Sequence, residues 1–334
     1  MIIDAHVHLV GDGSDGTGCW HRPRPAGRLL APFFWHGMGL TRSAVGTDLD
    51  RAYLMRLVEY LRGSSLDAIA LFAQEEVYRE DGSRWEGRGT FFVPNDRVLG
   101  LARQESGILP VVSIHPARRD ALAELDRCAA GGAVALKLLP NCHNVDCGLA
   151  RYRPFWERLA ALGLPLIAHT GAESVVDEVR RDLADPRTLR APLAAGVTVI
   201  AAHCGIGSGV VTPDYFPVFR AMLAEFPNLY GDTAAFALLN RCHRLRASLR
   251  PGVVARLVHG SDVPVPVMPF AGVLAGLLGI GAWWRLQRIR NPLERDYRFK
   301  RALGYPDAVF SRAERLLRRP GPPAPPRPPG AAQG

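Results

Sequence analysis

The chain has 334 residues, which is enough for two ordinary domains but is also the length of a single α/β barrel. Hydrophobic residues make up 48% of it, so a large buried core can form. The formal net charge of +9 does not by itself indicate a nucleic-acid partner, because the basic residues are scattered along the chain. Two of the 41 basic residues are lysines, Lys137 and Lys300, and the rest are arginines.

The N-terminal residues do not have the pattern of a secretory signal peptide, because no positively charged segment precedes an apolar one. The six cysteines form no C-x-x-C pair, and we expect a reduced, cytoplasmic protein. The apolar segment 270–284 is shorter than the roughly 20 residues that span a bilayer. We therefore expect a buried or lid helix there and no membrane partner.

Eight short apolar segments recur along the chain, separated by stretches with helical periodicity. Helices are expected over residues 48–62, 95–106, 117–130, 153–162 and 213–226. Near-continuous apolar runs are typical of strands buried on both faces, and their alternation with helices predicts a parallel sheet. Eight alternations predict an α/β fold of the (β/α)₈ barrel type. The competing doubly wound sheet is disfavoured, since no G-x-G-x-x-G follows the first strand. The segments are residues 1–10, 66–73, 108–114, 133–139, 164–168, 197–202, 228–233 and 254–258.

Long loops follow the first and second predicted strands, at residues 11–47 and 74–94, and both are rich in aromatic side chains. In a barrel they lie at the catalytic end, so we expect either lids over a substrate pocket or plain insertions. Residues 1–318 are expected to form one barrel domain. The proline-rich residues 319–334 are expected to be a disordered tail.

Ionisable side chains follow the C-terminal ends of most of these segments. His6 and His8 end the first, and residues two apart in a strand point to the same side. Such a pair is half of a metal site or, alternatively, two buried and hydrogen-bonded histidines. Burying many ionisable groups is costly without partners, so their recurrence at one end of a barrel favours a functional site. The others are His115, Lys137, His169, His203 and Asp262.

These side chains lie in five motifs: D-A-H-V-H at 4–8, L-K-L-L-P-N at 136–141, A-H-T-G at 168–171, A-H-C-G at 202–205 and H-G-S-D at 259–262. In this order they resemble the amidohydrolase superfamily, specifically its amidohydrolase-related branch. The resemblance implies a divalent metal held by His6, His8, His169 and Asp262. Imidazole and carboxylate donors suit zinc. The resemblance also implies that His203 either binds a second metal or polarises the substrate.

The resemblance implies a hydrolase that activates water on the metal and cleaves a C–N or C–O bond of a small organic substrate. Asp262 would accept the proton of that water and pass it to the leaving group, and His203 would help to stabilise the oxyanion. A metal-dependent, non-oxidative decarboxylase of the same superfamily is the alternative. A non-catalytic binder on a decayed barrel is disfavoured, because every expected ligand is present.

Lys137 decides whether one or two metal ions are expected. Some family members carboxylate a lysine on this strand, and the carbamate bridges two metals; otherwise Lys137 pairs with a carboxylate or with substrate beside a single metal. An arginine could not take the first role, because its guanidinium does not lose a proton. His115 and His143 are expected to bind substrate or else to be loop histidines without a role. A small-molecule substrate is the expected partner, and assembly into a homo-oligomer stays open.

Overall fold

The structure, a computed structural model, describes residues 1–23, 25–40, 44–173, 175–209 and 212–318, with the backbone alone at 25–30. The expected tail at 319–334 lies outside these residues. The strands are β1 Ile3–His8, β2 Trp20–His21, β3 Ala68–Phe72, β4 Phe91–Phe92, β5 Ile108–Val112, β6 Ala135–Leu138, β7 Leu166–His169, β8 Val199–Ala202, β9 Leu229–Asp232 and β10 Leu257–Val258.

Eight parallel strands form one sheet in the order β1-β3-β5-β6-β7-β8-β9-β10. The sheet closes between β1 and the segment after β10: Asp262 N–H donates to the His6 carbonyl at 2.9 Å, and His8 N–H donates to the Val263 carbonyl at 2.9 Å. The predicted (β/α)₈ barrel is confirmed.

The helices are α1 Pro25–Gly37, α2 Leu49–Arg62, α3 Asn95–Gln104, α4 Ala121–Ala130, α5 Pro140–His143, α6 Arg153–Ala161, α7 Arg190–Ala194, α8 Phe216–Glu225, α9 Leu245–Ser248, α10 Pro251–Val254, α11 Phe270–Leu274, α12 Ile280–Gln287, α13 Pro292–Ala302, α14 Asp307–Ser311 and α15 Ala313–Leu316. The helices expected over 48–62, 95–106 and 153–162 correspond to α2, α3 and α6. Those expected over 117–130 and 213–226 begin a few residues later, as α4 and α8.

Both faces of the barrel strands are buried, which explains their near-continuous apolar sequences. In β3, for example, Ala68, Ala70 and Phe72 belong to the cluster that fills the barrel interior. Ile69 and Leu71 belong to the larger cluster between the sheet and the helices. Alternation along a strand thus supplies both layers of the core.

An irregularity in β1 positions the first histidine of the D-A-H-V-H motif. Ile3 and Ala5 pack in the barrel interior, so regular alternation would turn His6 outward. The pairing of β1 with β3 shifts between Asp4 and Val7, however, as at a β-bulge. An extra residue of this kind re-aims side chains and is common beside active sites. His6 is thereby brought against His8, with their Nε2 atoms 3.2 Å apart.

The two long loops join at the C-terminal end of the barrel. β2 and β4 pair antiparallel, with Trp20 opposite Phe92. The ring of Phe91 lies 6.3 Å from the ring of His8. The paired loops therefore lie against the end of β1.

The segment 270–284, expected to form a buried or lid helix, is not one helix. Two short helices, α11 and α12, form instead, with Gly276 at a φ of +64° between them. Leu274, Ile280 and Trp284 are exposed. No helix among the described residues is long and apolar enough to cross a membrane.

A buried ion pair ties α13 to the turn that carries Asp262. Lys300, which is fully buried, donates hydrogen bonds to Asp296 one helical turn earlier and to the Gly260 carbonyl. Asp296 is also fully buried. Removing one partner of such a pair leaves a buried charge without compensation, which is far more costly than removing both.

We expect Lys300→Met to lower the free energy of unfolding by about 3–5 kcal/mol, because Asp296 loses its cation. The double variant Lys300→Met/Asp296→Leu should recover most of that loss. Urea unfolding followed by circular dichroism measures both. Equal stability of the single and double variants would show that the pair does not act as a unit.

Candidate metal centre

Three side chains meet where β1 ends and the turn after β10 begins. The Nε2 atoms of His6 and His8 are 3.2 Å apart. Asp262 Oδ1 lies 3.1 Å from the Nε2 of His6 and 3.2 Å from that of His8. Three donor atoms bound to one ion at about 2.0–2.1 Å would be roughly 2.9–3.4 Å apart. The observed spacing is therefore that of ligands around a single ion.

His203 extends this cluster from the end of β8. One donor atom each from His6, His203 and Asp262 lies within 4.8 Å of the others. The Nδ1 of His203 is 3.1 Å from the Ala234 carbonyl, which can only accept, so Nδ1 carries the proton and Nε2 keeps a lone pair. Burial lowers the pKa of His203 well below its usual value, which keeps the ring neutral. This tautomer suits a metal ligand better than a proton donor.

His169, the last residue of β7, carries an unpaired nitrogen. Its ring lies 4.9 Å from the ring of His203. Its Nε2 is buried and has no hydrogen-bond partner among the described residues. Its Nδ1 is 3.7 Å from Glu173 Oε2, too far for a strong hydrogen bond. A buried unpaired nitrogen is costly, and a bound ion would satisfy it, so the residues present fit a divalent metal.

The backbone is unusual at two of these positions. His203 has a φ of 62° and Asp262 a φ of 72°, both in the left-handed region that non-glycine residues rarely adopt. Gly260 is also constrained, because a Cβ there would lie 2.8 Å from the Cβ of His6. Strained conformations persist where the surrounding structure enforces them, and they cluster at functional sites.

Asp232, at the end of β9, is a site residue that was not predicted from the sequence. Its Oδ2 lies 2.7 Å from the Nδ1 of His6, and its Oδ1 accepts the backbone N–H of His203 at 2.8 Å. A carboxylate behind a ligating histidine fixes the ring and leaves Nε2 free to bind a metal. The available signal was its position at the end of the weakest predicted strand, equivalent to that of His169.

Changing Asp232 to asparagine is expected to weaken metal affinity by about 10–100-fold, because His6 loses the carboxylate that orients it. Competition with a chromophoric zinc chelator measures this affinity. Asp214→Asn is the matched control, since Asp214 pairs with Arg244 away from the cluster. Unchanged affinity in the Asp232 variant would show that His6 does not need this support.

Lys137 enters the cluster from β6. Its Nζ is 3.3 Å from the Nε2 of His6 and 4.8 Å from the centre of the Phe72 ring. The side chain is fully buried, and burial lowers the pKa of Lys137 to about 8. The amine is therefore easier to deprotonate than that of an ordinary lysine.

His115 and His143 are held by hydrogen bonds to other protein groups. The Nε2 of His115 donates to the His143 carbonyl at 2.9 Å, and its Nδ1 accepts the Ala117 N–H at 3.0 Å, so neither nitrogen is left for a substrate. The Nε2 of His143 contacts the Gln74 amide at 2.8 Å. The predicted residues that meet are His6, His8, Lys137, His169, His203 and Asp262.

The sequence of the chain matches a known protein family. The family model of the amidohydrolases matches residues 3–272. No curated protein sequence matches the chain.

Solved structures share the fold at low sequence identity. An uncharacterized TIM-barrel protein from Bordetella bronchiseptica has a TM-score of 0.58 at 15% identity, over 91% of this chain and 99% of that one. A candidate 2-pyrone-4,6-dicarboxylic acid hydrolase from Pseudomonas putida has a TM-score of 0.55 at 18% identity, over 94% of this chain and 96% of that one. A 5-carboxyvanillate decarboxylase from Sphingomonas paucimobilis has a TM-score of 0.55 at 13% identity, over 95% of this chain and 99% of that one. At these identities the similarity establishes the fold alone, but the family model spans most of the chain, and the chain belongs to the amidohydrolase family.

Proposed function

We propose that this amidohydrolase-family member is a metal-dependent hydrolase that cleaves a C–N or C–O bond of a small organic substrate. The proposal is carried by the meeting of His6, His8 and Asp262 at 3.1–3.2 Å, beside the unpaired nitrogen of His169. Neutral imidazoles with one carboxylate suit zinc. When bound, such an ion supplies a Lewis acid and lowers the pKa of water in the site.

Asp262 has the properties of the proton carrier. Burial opposes its ionisation, but the surrounding histidines, His6 foremost, hold the pKa of Asp262 well below the usual value. The carboxylate is therefore ionised at neutral pH. It can accept a proton from the attacking water and then deliver that proton to the departing nitrogen or oxygen.

The histidines have supporting roles in this proposal. The Nδ1 of His6 faces Asp232, which leaves its Nε2 on the side of the cluster, and burial lowers the pKa of His8, which favours a neutral ring. His203 carries its proton on the nitrogen that faces Ala234. We therefore assign His203 to the ligand set rather than to protonation of the substrate.

Lys137 is the residue that would allow a second ion. We propose that its amine nitrogen adds to carbon dioxide, forming an N–C bond and releasing one proton, to give a carbamate. With a pKa of about 8, roughly a tenth of the amine is unprotonated at pH 7 and can react. An ammonium 3.3 Å from the His6 nitrogen would repel a divalent ion, whereas a carbamate would attract it. The carbamate, His169 and His203 would then hold the second ion.

A non-oxidative decarboxylase is the second candidate, supported by the shared fold with a 5-carboxyvanillate decarboxylase. Incubation of metal-loaded protein with lactones, amides, cyclic imides and aromatic carboxylic acids tests both. A hydrolase consumes water and releases an acid with an amine or alcohol, whereas a decarboxylase releases carbon dioxide. Carbon dioxide release without hydrolysis of any ester or amide bond would replace the first proposal with the second.

A further inference from the structure

Arg241 is a buried cation with most of its donors unused. It lies in the 3₁₀ helix Leu239–Arg244, in the loop after β9, and is 6% exposed. Its Nη2 donates to the Ala172 carbonyl at 2.7 Å. Its Nε and Nη1 have no hydrogen-bond partner among the described residues. A guanidinium has five N–H groups, so one contact leaves four unpaired, and burying them is costly.

Arg241 lies near the candidate metal centre. Ala172, which anchors Arg241, is three residues beyond His169 in the loop after β7. After burial, Arg241 is the largest cause of the lowered pKa of His203. Asp262 is the carboxylate that most favours the charged form of Arg241, although burial lowers the pKa of that guanidinium overall. The guanidinium is therefore close enough to the ligand cluster for its charge to act on His203 and Asp262.

The chemistry of these donors indicates the group that would occupy them. The second N–H of Nη2 and the N–H groups of Nε and Nη1 remain free. The guanidinium can therefore still offer the parallel pair of N–H groups that a carboxylate accepts. The surroundings already hold Asp232, Asp262 and Glu173, all carboxylates that act on Arg241. A singly charged anion matches one guanidinium in this setting, whereas a phosphate dianion would be repelled.

We propose that Arg241 binds a carboxylate of the substrate, so that the enzyme acts on carboxylic acids whose reacting group lies near that carboxylate. This inference rests on the proposed function, because the metal centre supplies the reaction. Arg241 is a binding residue here and takes no part in proton transfer. Its unpaired N–H groups are satisfied only in the complex, which explains why the free protein retains them.

The test is calorimetric titration of the metal-loaded full chain with benzoate, benzamide and inorganic phosphate. Benzoate should bind to the wild type, and Arg241→Gln should weaken that binding by at least about tenfold, because charge-assisted hydrogen bonds are lost. Benzamide should bind weakly and equally to both proteins. Arg244→Gln is the matched control on the same 3₁₀ helix, because Arg244 pairs with Asp214, and it should leave benzoate binding unchanged.

Thermal unfolding of the same samples separates binding from a structural role. Arg241→Gln should leave the Tm unchanged or raise it, because a buried cation without an ion pair is removed; Arg241→Lys should fold and bind benzoate more weakly than the wild type. Equal benzoate affinity in wild type and Arg241→Gln, no benzoate binding at all, or tighter binding of phosphate would overturn the proposal. If the wild type carries no metal, the proposed function fails, while the comparison of benzoate with benzamide still decides the role of Arg241.

Discussion

Asp262→Asn is expected to lower kcat by at least about a thousandfold while the fold is retained. Asparagine keeps the size of the side chain and one oxygen that can bind a metal. It has no carboxylate to accept a proton, however, and a residue whose pKa is held well below the usual value is replaced by a neutral one. The backbone N–H of Asp262, which donates to the His6 carbonyl, is unaffected by the change.

Steady-state kinetics on metal-loaded protein measures this effect, with circular dichroism as the test of folding. Metal content must be determined on the same sample, because a loss of both metal and activity would report ligation rather than proton transfer. Asp214→Asn again serves as the control and should keep wild-type kcat. An Asp262→Asn variant that turned over substrate at the wild-type rate would refute the assignment of the proton carrier.

A carbamate on Lys137 is expected to give one carbon-13 resonance in wild-type protein equilibrated with labelled bicarbonate and zinc. The chain simplifies the assignment, because Lys300 is its only other lysine. Lys137→Arg should abolish the resonance, since a guanidinium does not react with carbon dioxide. Lys300→Arg should retain it, because Lys300 is held by Asp296 and Gly260 outside the barrel interior.

Metal analysis of the same three proteins gives the second readout. Two ions per chain in the wild type should fall to one or none in Lys137→Arg, and turnover should fall with them. A wild type with no carbamate resonance, and with one ion whether or not Lys137 is present, would establish the mononuclear site. Lys137 would then pair with a carboxylate or with the substrate.

The barrel could be predicted because its strands are buried on both faces and therefore leave near-continuous apolar runs. Even the weakest of these, at residues 228–233, became β9. The segment 270–284 could not be placed by the same reasoning. Its composition fits a buried or lid helix, but the segment forms two helices with Gly276 between them and leaves Trp284 exposed. Exposure of an apolar helix depends on tertiary contacts that periodicity does not encode.

The candidate site also contains some residues that the sequence predicts and others that only the structure identifies. His6, His8 and Asp262 lie in recognisable motifs at strand ends, and the structure brings them together. Asp232 ends a predicted strand, but its role, like that of Arg241, depends on a spatial relation that the sequence does not show. Asp232 reaches a histidine 226 positions away, and Arg241 is distinguished among the described arginines by buried donors without a partner.

Metal content per chain is the most direct measure of the central claim. Protein purified without chelator should carry at least one divalent ion per chain by inductively coupled plasma mass spectrometry. The double variant His6→Ala/His8→Ala should carry none, while His243→Ala, which changes a histidine beside Asp214, should match the wild type. A wild type without metal, or a double variant with as much metal as the wild type, would contradict the assignment of this cluster as a metal centre.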